Sequence, residues 1–294
     1  MSRPALAPLA GSLALVIALV ACGSDDDGSA GSGPTESTVG GTVPELSLVP
    51  ATTVAVPPVS IPDSIPTELV VTEITPGTGE PAEDGDTVLV NYVGVRSEDG
   101  TQFDTNFGGE PIAVTLGAGG VIAGWDQGLV GTTQGQRVQL DIPNDLAYGD
   151  TPRGDVIQAG DALSFVVDVL AIVPPITAVE PTAADLPLSS DVTTESEVVD
   201  LVEGDGATLE PGQTGVFHFV AARADDGTTL ESTWVSDLIP LTMEDGGASA
   251  ALITGLPGMN VGGRRLVRLP ASDADGLEDP ATDVFIVADL FAVY

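Results

Sequence analysis

A single histidine (His218), a single cysteine (Cys22) and no lysine in 294 residues leave few groups for acid–base, nucleophilic or metal chemistry. No His-Cys or His-Asp set can be assembled around His218, which reads as a strand residue with one face toward water. Cys22 has no partner for an intramolecular disulfide. What the chain offers instead is aromatic and apolar surface set beside turns. In Gly119-Gly120-Val121-Ile122-Ala123-Gly124-Trp125 two glycines permit a tight turn and two β-branched residues follow. Ile122, Trp125 and Leu129 then fall on one face of a short helix. A Trp at the mouth of such a helix is either a core plug or the floor of a pocket, and spacing alone leaves both open.

A sheet must hold that helix. Leu69 to Ile74 alternates as a strand and is followed by the turn Pro76 to Gly79. Thr87 to Val95 is a second strand containing Asn91-Tyr92-Val93-Gly94, and Ser97-Glu98-Asp99-Gly100 is a hairpin turn. Gln102-Phe103-Asp104 and Ile112 to Leu116 add two short strands ahead of the helix. Gln134-Gly135-Gln136-Arg137 leads into Val138 to Ile142. Asp145-Leu146-Ala147-Tyr148-Gly149 opens a loop that runs to Ile157, and Ala162 to Val173 is a long closing strand. The pattern predicts an α+β unit, a curved antiparallel sheet wrapped on one short helix.

Pro174 and Pro175 end this unit, and residues 174–196 read as a linker. Residues 197–294 then repeat it. Val216 to Val220 parallels Val88 to Val93, Asp225 to Thr228 parallels Glu98 to Thr101, and Val261 to Arg265 parallels Gln134 to Val138. Val284 to Val293 parallels Ser164 to Val173, which sets Phe285 at the place of Phe165.

Ahead of both units, residues 1–21 read as a targeting segment, with Arg3 in its charged start and Leu13 to Val20 as an apolar run too short for a permanent span of about 20 residues. Leu19-Val20-Ala21-Cys22 is similar to the lipobox of bacterial lipoproteins, which gives Cys22 a role as a lipidation site. Two or three acyl chains would anchor the protein stably on the outer face of the cytoplasmic membrane. Residues 22–66, rich in Gly, Ser, Thr, Pro and Asp, read as a disordered tether with a reach of roughly 35–40 Å. A net charge of −36 disfavours nucleic acid or anionic lipid as electrostatic partners and suits solubility in a salty setting.

Taken in order, Asn91-Tyr92-Val93-Gly94, Phe103-Asp104, Val121 to Trp125, Gly135-Gln136-Arg137 and Ala147-Tyr148-Gly149 resemble the FKBP-type peptidyl-prolyl cis-trans isomerases. The resemblance covers residues 67–173. It implies a cup for the proline ring, with Trp125 as floor and Tyr92, Phe103, Val121, Ile122 and Phe165 as walls, extended by Ile112 and Ile157. It further implies that the Ile122 backbone N–H and the Tyr148 hydroxyl hold peptide carbonyls, with Asp104 at the rim bonded to Tyr92. The chain departs from the family where Ile112 replaces an aromatic, Gly120 a polar residue and Arg153 a frequent His. The partners implied are proline-containing segments of exported proteins and a macrolide ligand; no metal or cofactor is implied.

The chemistry has a physical basis of its own. Rotation about an X-Pro amide meets a barrier of about 18–20 kcal/mol because the planar amide is resonance-stabilised. Halfway round, conjugation is lost and polarity falls, so an apolar pocket favours the twisted amide over the planar, hydrated one. The second unit lacks the set. Phe219 stands for Tyr92, Leu230-Glu231 for Phe103-Asp104, no Trp occupies the floor and no Tyr lies in Ala271 to Asp279. It reads as a degenerate FKBP-like domain without activity, and Trp234 as a loop aromatic against the sheet. The expected function is an extracytoplasmic prolyl isomerase; the competing reading is a non-catalytic peptide-binding lipoprotein.

Overall fold

A computed structural model describes residues 55–234, 238–244, 250–273 and 282–294. The targeting segment, Cys22 and most of the tether lie outside the described residues. The first unit contains β1 (Val70–Thr75), β2 (Thr87–Arg96), β3 (Gln102–Thr105), β4 (Ile112–Thr115), α1 (Ala123–Gly128), β5 (Arg137–Ile142) and β6 (Leu163–Val173). All pairings are antiparallel, in the order β1-β5-β6-β2-β3, with β4 on the first half of β2. The hairpin turn before β3 closes through Gly100 at φ 74°, a left-handed conformation that suits glycine.

One face of this sheet carries the core. Val88, Val90, Val138, Leu140, Ile142, Phe165, Val167 and Val169 share one core with Trp125 of α1 and with Leu129, its C-cap. The helix is only six residues long, so it is held by burial rather than propensity: Trp125 is 4% exposed and Leu129 fully buried. Gly124 and Gly128 make the approach possible, because a Cβ at Gly124 would lie 2.3 Å from Ile142 and one at Gly128 2.9 Å from Leu140.

The second sheet is built from β7 (Glu197–Val202), β8 (Thr214–Arg223), β9 (Thr229–Ser232), β10 (Ile239–Thr242), β11 (Arg264–Leu269) and β12 (Val284–Val293), with α2 (Ala250–Gly255) before β11. Its order, β7-β11-β12-β8-β10 with β9 also on β8, uses the same connections as the first. Arg137 with Asp168 and Arg264 with Asp289 form equivalent ion pairs across β5–β6 and β11–β12. Leu89, Ala171 and Val173 on the outer face of the first sheet pack with Val216, Ala292 and Phe291 of the second. The Gln134 side-chain amide donates to the Val293 carbonyl at 2.7 Å.

Three expectations are corrected. Residues 55–66 were expected to belong to a free tether, yet Pro57 is buried and Ser60 exchanges two backbone bonds with the Gln139 side chain, 3.0 and 2.8 Å. Prolines pre-set an extended path there, and the Gln139 amide supplies both a donor and an acceptor. Residues 174–196 are likewise a strap rather than a bare linker. Glu180 accepts from Ser232, Arg264 donates to the Val179 carbonyl, Thr193 N–H donates to Asp283, and Leu186 packs on Phe285 and Leu266. Finally, His218 is buried rather than half-wet. It stacks on Trp234 at 5.0 Å, edge-on to Phe291, and burial pushes its imidazole below the usual range.

Candidate active site

β2, β3, β6, α1 and the loop after β5 bring the candidate residues to one end of the first core. Tyr92 lies edge-on to Trp125 at 5.1 Å and 87°, and Trp125 edge-on to Phe165 at 5.3 Å and 87°. Phe103 closes on Phe165 at 5.5 Å and 83°. Four rings in successive edge-to-face contact make a fixed apolar surface rather than a fluid one. Gly94 permits it, since a Cβ there would sit 2.7 Å from both Phe103 and Phe165. Ile112, Val121, Ile122 and Tyr148, half-exposed, pack against the hydrophobic core to which these rings belong, and Ile157 is buried in that core. Nine of the ten residues singled out from the sequence for this site thus belong to or pack on the one core, and Asp104 joins it through its bond to Tyr92.

The polar groups are few and placed. The Tyr92 hydroxyl donates to Asp104 Oδ2 at 2.5 Å, and Asp104 Oδ1 accepts its neighbour Thr105 N–H at 2.9 Å. Burial, and then the bond to Asp104, push the Tyr92 phenol well above its ordinary range, so it stays a neutral donor. Among the described residues, the Ile122 N–H, the Tyr148 hydroxyl and the Trp125 indole N–H have no acceptor in the chain, and the last is buried. Ile122 is the N-cap of α1 in an extended conformation, so its N–H lies outside the helical ladder. Tyr148 follows the 3-10 turn Asn144–Leu146, and Arg153 lies over its ring with the guanidinium carbon 5.0 Å from the centroid.

The arrangement is an apolar, aromatic cluster with hydrogen-bond donors that the chain leaves unspent. Among the described residues no cluster of His, Cys, Asp and Glu could hold a metal ion. Two clefts elsewhere, of about 300 and 230 Å³, lie beside the edge strands β7 and β1 and share no residue with the cup.

Comparison with known proteins bears on the same stretch. Residues 78–170 match the family FKBP-type peptidyl-prolyl cis-trans isomerase. An FK506-binding protein of Streptomyces anulatus is 45% identical over 109 residues, which cover 36% of this chain and 88% of that protein. The chain belongs to the FKBP-type isomerases. A peptidyl-prolyl cis-trans isomerase of Saccharomyces cerevisiae, FPR2, is 44% identical over 89 residues, 30% of this chain and 66% of the yeast protein. FkpA from Escherichia coli aligns with 38% identity over 37% of this chain and 49% of that one, at a TM-score of 0.34.

The second sheet of this FKBP departs at the ring positions while keeping Ile239 at the place of Ile112. Register places Ala221 opposite Ile286 and Glu231, as Gly94 lies opposite Phe165 and Asp104. Ile286 thus stands at the place of Phe165, Leu230 at that of Phe103, Phe219 at that of Tyr92, and Leu252, third in α2, at that of Trp125 in α1. The expectation that Phe285 keeps the wall position is wrong. Phe285 lies on the opposite face with Ala224, Leu266 and Val287, one residue out of step. Sequence reading also missed Arg265. It stands where Val138 does in β5, is 7% exposed, pairs with Asp200 at 2.6 Å and donates to the carbonyls of Gly255, Leu256 and Pro257 at the end of α2. Arg among apolar core positions was the signal.

Proposed function

We propose that residues 67–173 catalyse cis–trans isomerisation of X-Pro bonds in exported proteins, and that residues 197–294 are a degenerate FKBP-like domain without that activity. The reading is carried by one observation: Tyr92, Trp125 and Phe165 form a fixed aromatic cluster, and three N–H and O–H donors in the same unit are left unused by the chain itself. A proline ring fits the cup and sheds its water there. The Ile122 N–H and Tyr148 hydroxyl hold the carbonyls on either side, so the chain is gripped while the amide between them turns. Losing conjugation makes the twisted amide less polar, and the apolar walls of Phe103, Val121, Phe165, Ile112 and Ile157 favour it over the planar form. Tyr92, kept neutral and bonded to Asp104, fixes that carboxylate at the rim. No covalent step is needed.

Localisation follows from Arg3, the apolar run to Val20 and Cys22 in its lipobox-like setting. The protein is held by lipid on Cys22 at the extracytoplasmic face, where uncatalysed isomerisation of tens of seconds would limit refolding of exported chains. FK506, for which the Streptomyces relative is named, would occupy the same cup.

The full chain should accelerate isomerisation of a short X-Pro peptide. A Trp125→Ala variant with unchanged far-ultraviolet circular dichroism should lose at least tenfold of that rate. Undiminished turnover in the folded variant sinks the assignment. Peptide binding without turnover in the wild type would mark the protein as a peptide-binding lipoprotein instead.

A further inference from the structure

We propose that Arg153 selects substrates carrying an acidic side chain next to the proline, a specificity that rests on reading the cup as an X-Pro site. The observation behind it is an accounting of cations in a chain of net charge −36 with no lysine. Arg96, Arg137, Arg223, Arg264, Arg265 and Arg268 are each ion-paired with Asp or Glu. Among the described residues, Arg153 alone has no carboxylate within 4.0 Å, although Asp150 and Asp155 share its loop.

Its place is not arbitrary. Arg153 and Ile157 pair through two backbone bonds, 3.0 and 3.2 Å, and Ile157 is buried in the wall of the cup. The guanidinium lies over the Tyr148 ring, whose hydroxyl is one of the unused donors. A planar, weakly hydrated cation stacked on an aromatic ring loses little freedom when it accepts a carboxylate. It is thus a held, exposed positive charge beside the peptide path, in a molecule whose remaining field repels acidic peptides. A Glu flanking the proline is the group that gains from it, and a Lys flanking it is the group that loses.

The test uses the full chain and four-residue peptides with Glu, Ala or Lys immediately before or immediately after proline. Both kcat/KM and the dissociation constant by calorimetry are measured. Wild type should favour Glu over Ala about two- to fivefold at one of the two positions, as expected of an exposed pair, and lose the preference in 1 M NaCl. Arg153→Gln should abolish the Glu/Ala ratio, Arg153→Glu should invert it, and Arg153→Lys should retain part of it. The ratio is the readout because any effect through Tyr148 common to all peptides cancels. Equal ratios in wild type and Arg153→Gln overturn the proposal while leaving the isomerase reading intact. Absence of turnover on every peptide overturns the isomerase reading, and the dissociation constants then decide Arg153 alone: no Glu preference, or no binding, overturns it as well.

Discussion

Replacing Gly94 by Ala tests the packing on which the cup depends. A Cβ in a strand ordinarily helps, since glycine there costs about 0.5–1 kcal/mol relative to alanine. At Gly94 the methyl would lie 2.7 Å from Phe103 Cζ and Phe165 Cε1 and 2.8 Å from Phe103 Cε2, where ordinary contact begins near 3.4 Å. Both rings must give by roughly 0.7 Å, and Phe165 cannot do so freely because Trp125 and Tyr92 are packed against it. Overpacking of this kind costs about 1–3 kcal/mol, so a net loss of about 1–2 kcal/mol is expected in place of a gain. The second sheet shows the relief: Ala221 is tolerated where Leu230 and Ile286 replace the two phenylalanines. Phe103→Leu alone forfeits the edge contact with Phe165, about 0.5–1.5 kcal/mol. Phe103→Leu removes one of the two clashes and leaves that with Phe165, so Gly94→Ala with Phe103→Leu should cost less than the two changes summed, a favourable coupling of about 1 kcal/mol. Urea unfolding of the four proteins, followed by circular dichroism, gives the cycle. Costs that add to within about 0.5 kcal/mol, or a stabilised Gly94→Ala, would refute the argument.

Two further outcomes follow from polar groups set against the cores. The Tyr92 phenol titrates above its unfolded value of about 10, so the stability it contributes is complete below pH 10 and is lost as pH rises beyond it. Tyr92→Phe should therefore flatten the alkaline fall of unfolding free energy, leaving the part due to Tyr294, which burial also raises; parallel curves for variant and wild type would show the reasoning wrong. Arg265→Val, the residue found at the matching place in β5, strips three carbonyls at the end of α2 of their donor, while half-exposed Asp200 regains water. A loss of about 2–3 kcal/mol is expected, and a midpoint of thermal unfolding unchanged within a degree would contradict it.

The sheet and the cup were legible because they rest on local signals. Alternation in Thr87 to Val95 and the turn at Gly100 locate a hairpin without reference to the rest of the chain. The helical spacing of Ile122, Trp125 and Leu129 survives because one large ring and one leucine bury it. What escaped notice depends on contacts distant in sequence. Nothing in Pro57 to Ile61 announces that Gln139, 79 residues beyond Ser60, will pair with its backbone. Val179 to Thr193 reads as a linker because its partners are Arg264, Arg268 and Asp283, contributed by β11 and by the residue before β12.

Phe285 shows a different failure. Aligning Phe285 with Phe165 matches identical residue types, but strand chemistry has a period of two, and a slip of one residue carries a side chain through the sheet. Charge identifies the frame better than aromaticity does. Asp168 pairs with Arg137 and Asp289 with Arg264, and aligning those pairs sets Ile286, not Phe285, at the wall. The same frame aligns Gly94 with Ala221 and explains why glycine is required in only one of them. Where two phenylalanines meet edge to face over the strand, no methyl fits; where leucine and isoleucine replace them, a methyl fills the gap. Leu230, Ile286 and Ala221 thus form a coupled set of sizes in the second sheet, and placing Phe at Leu230 and Ile286 without Gly at Ala221 would create the clash that Gly94 avoids.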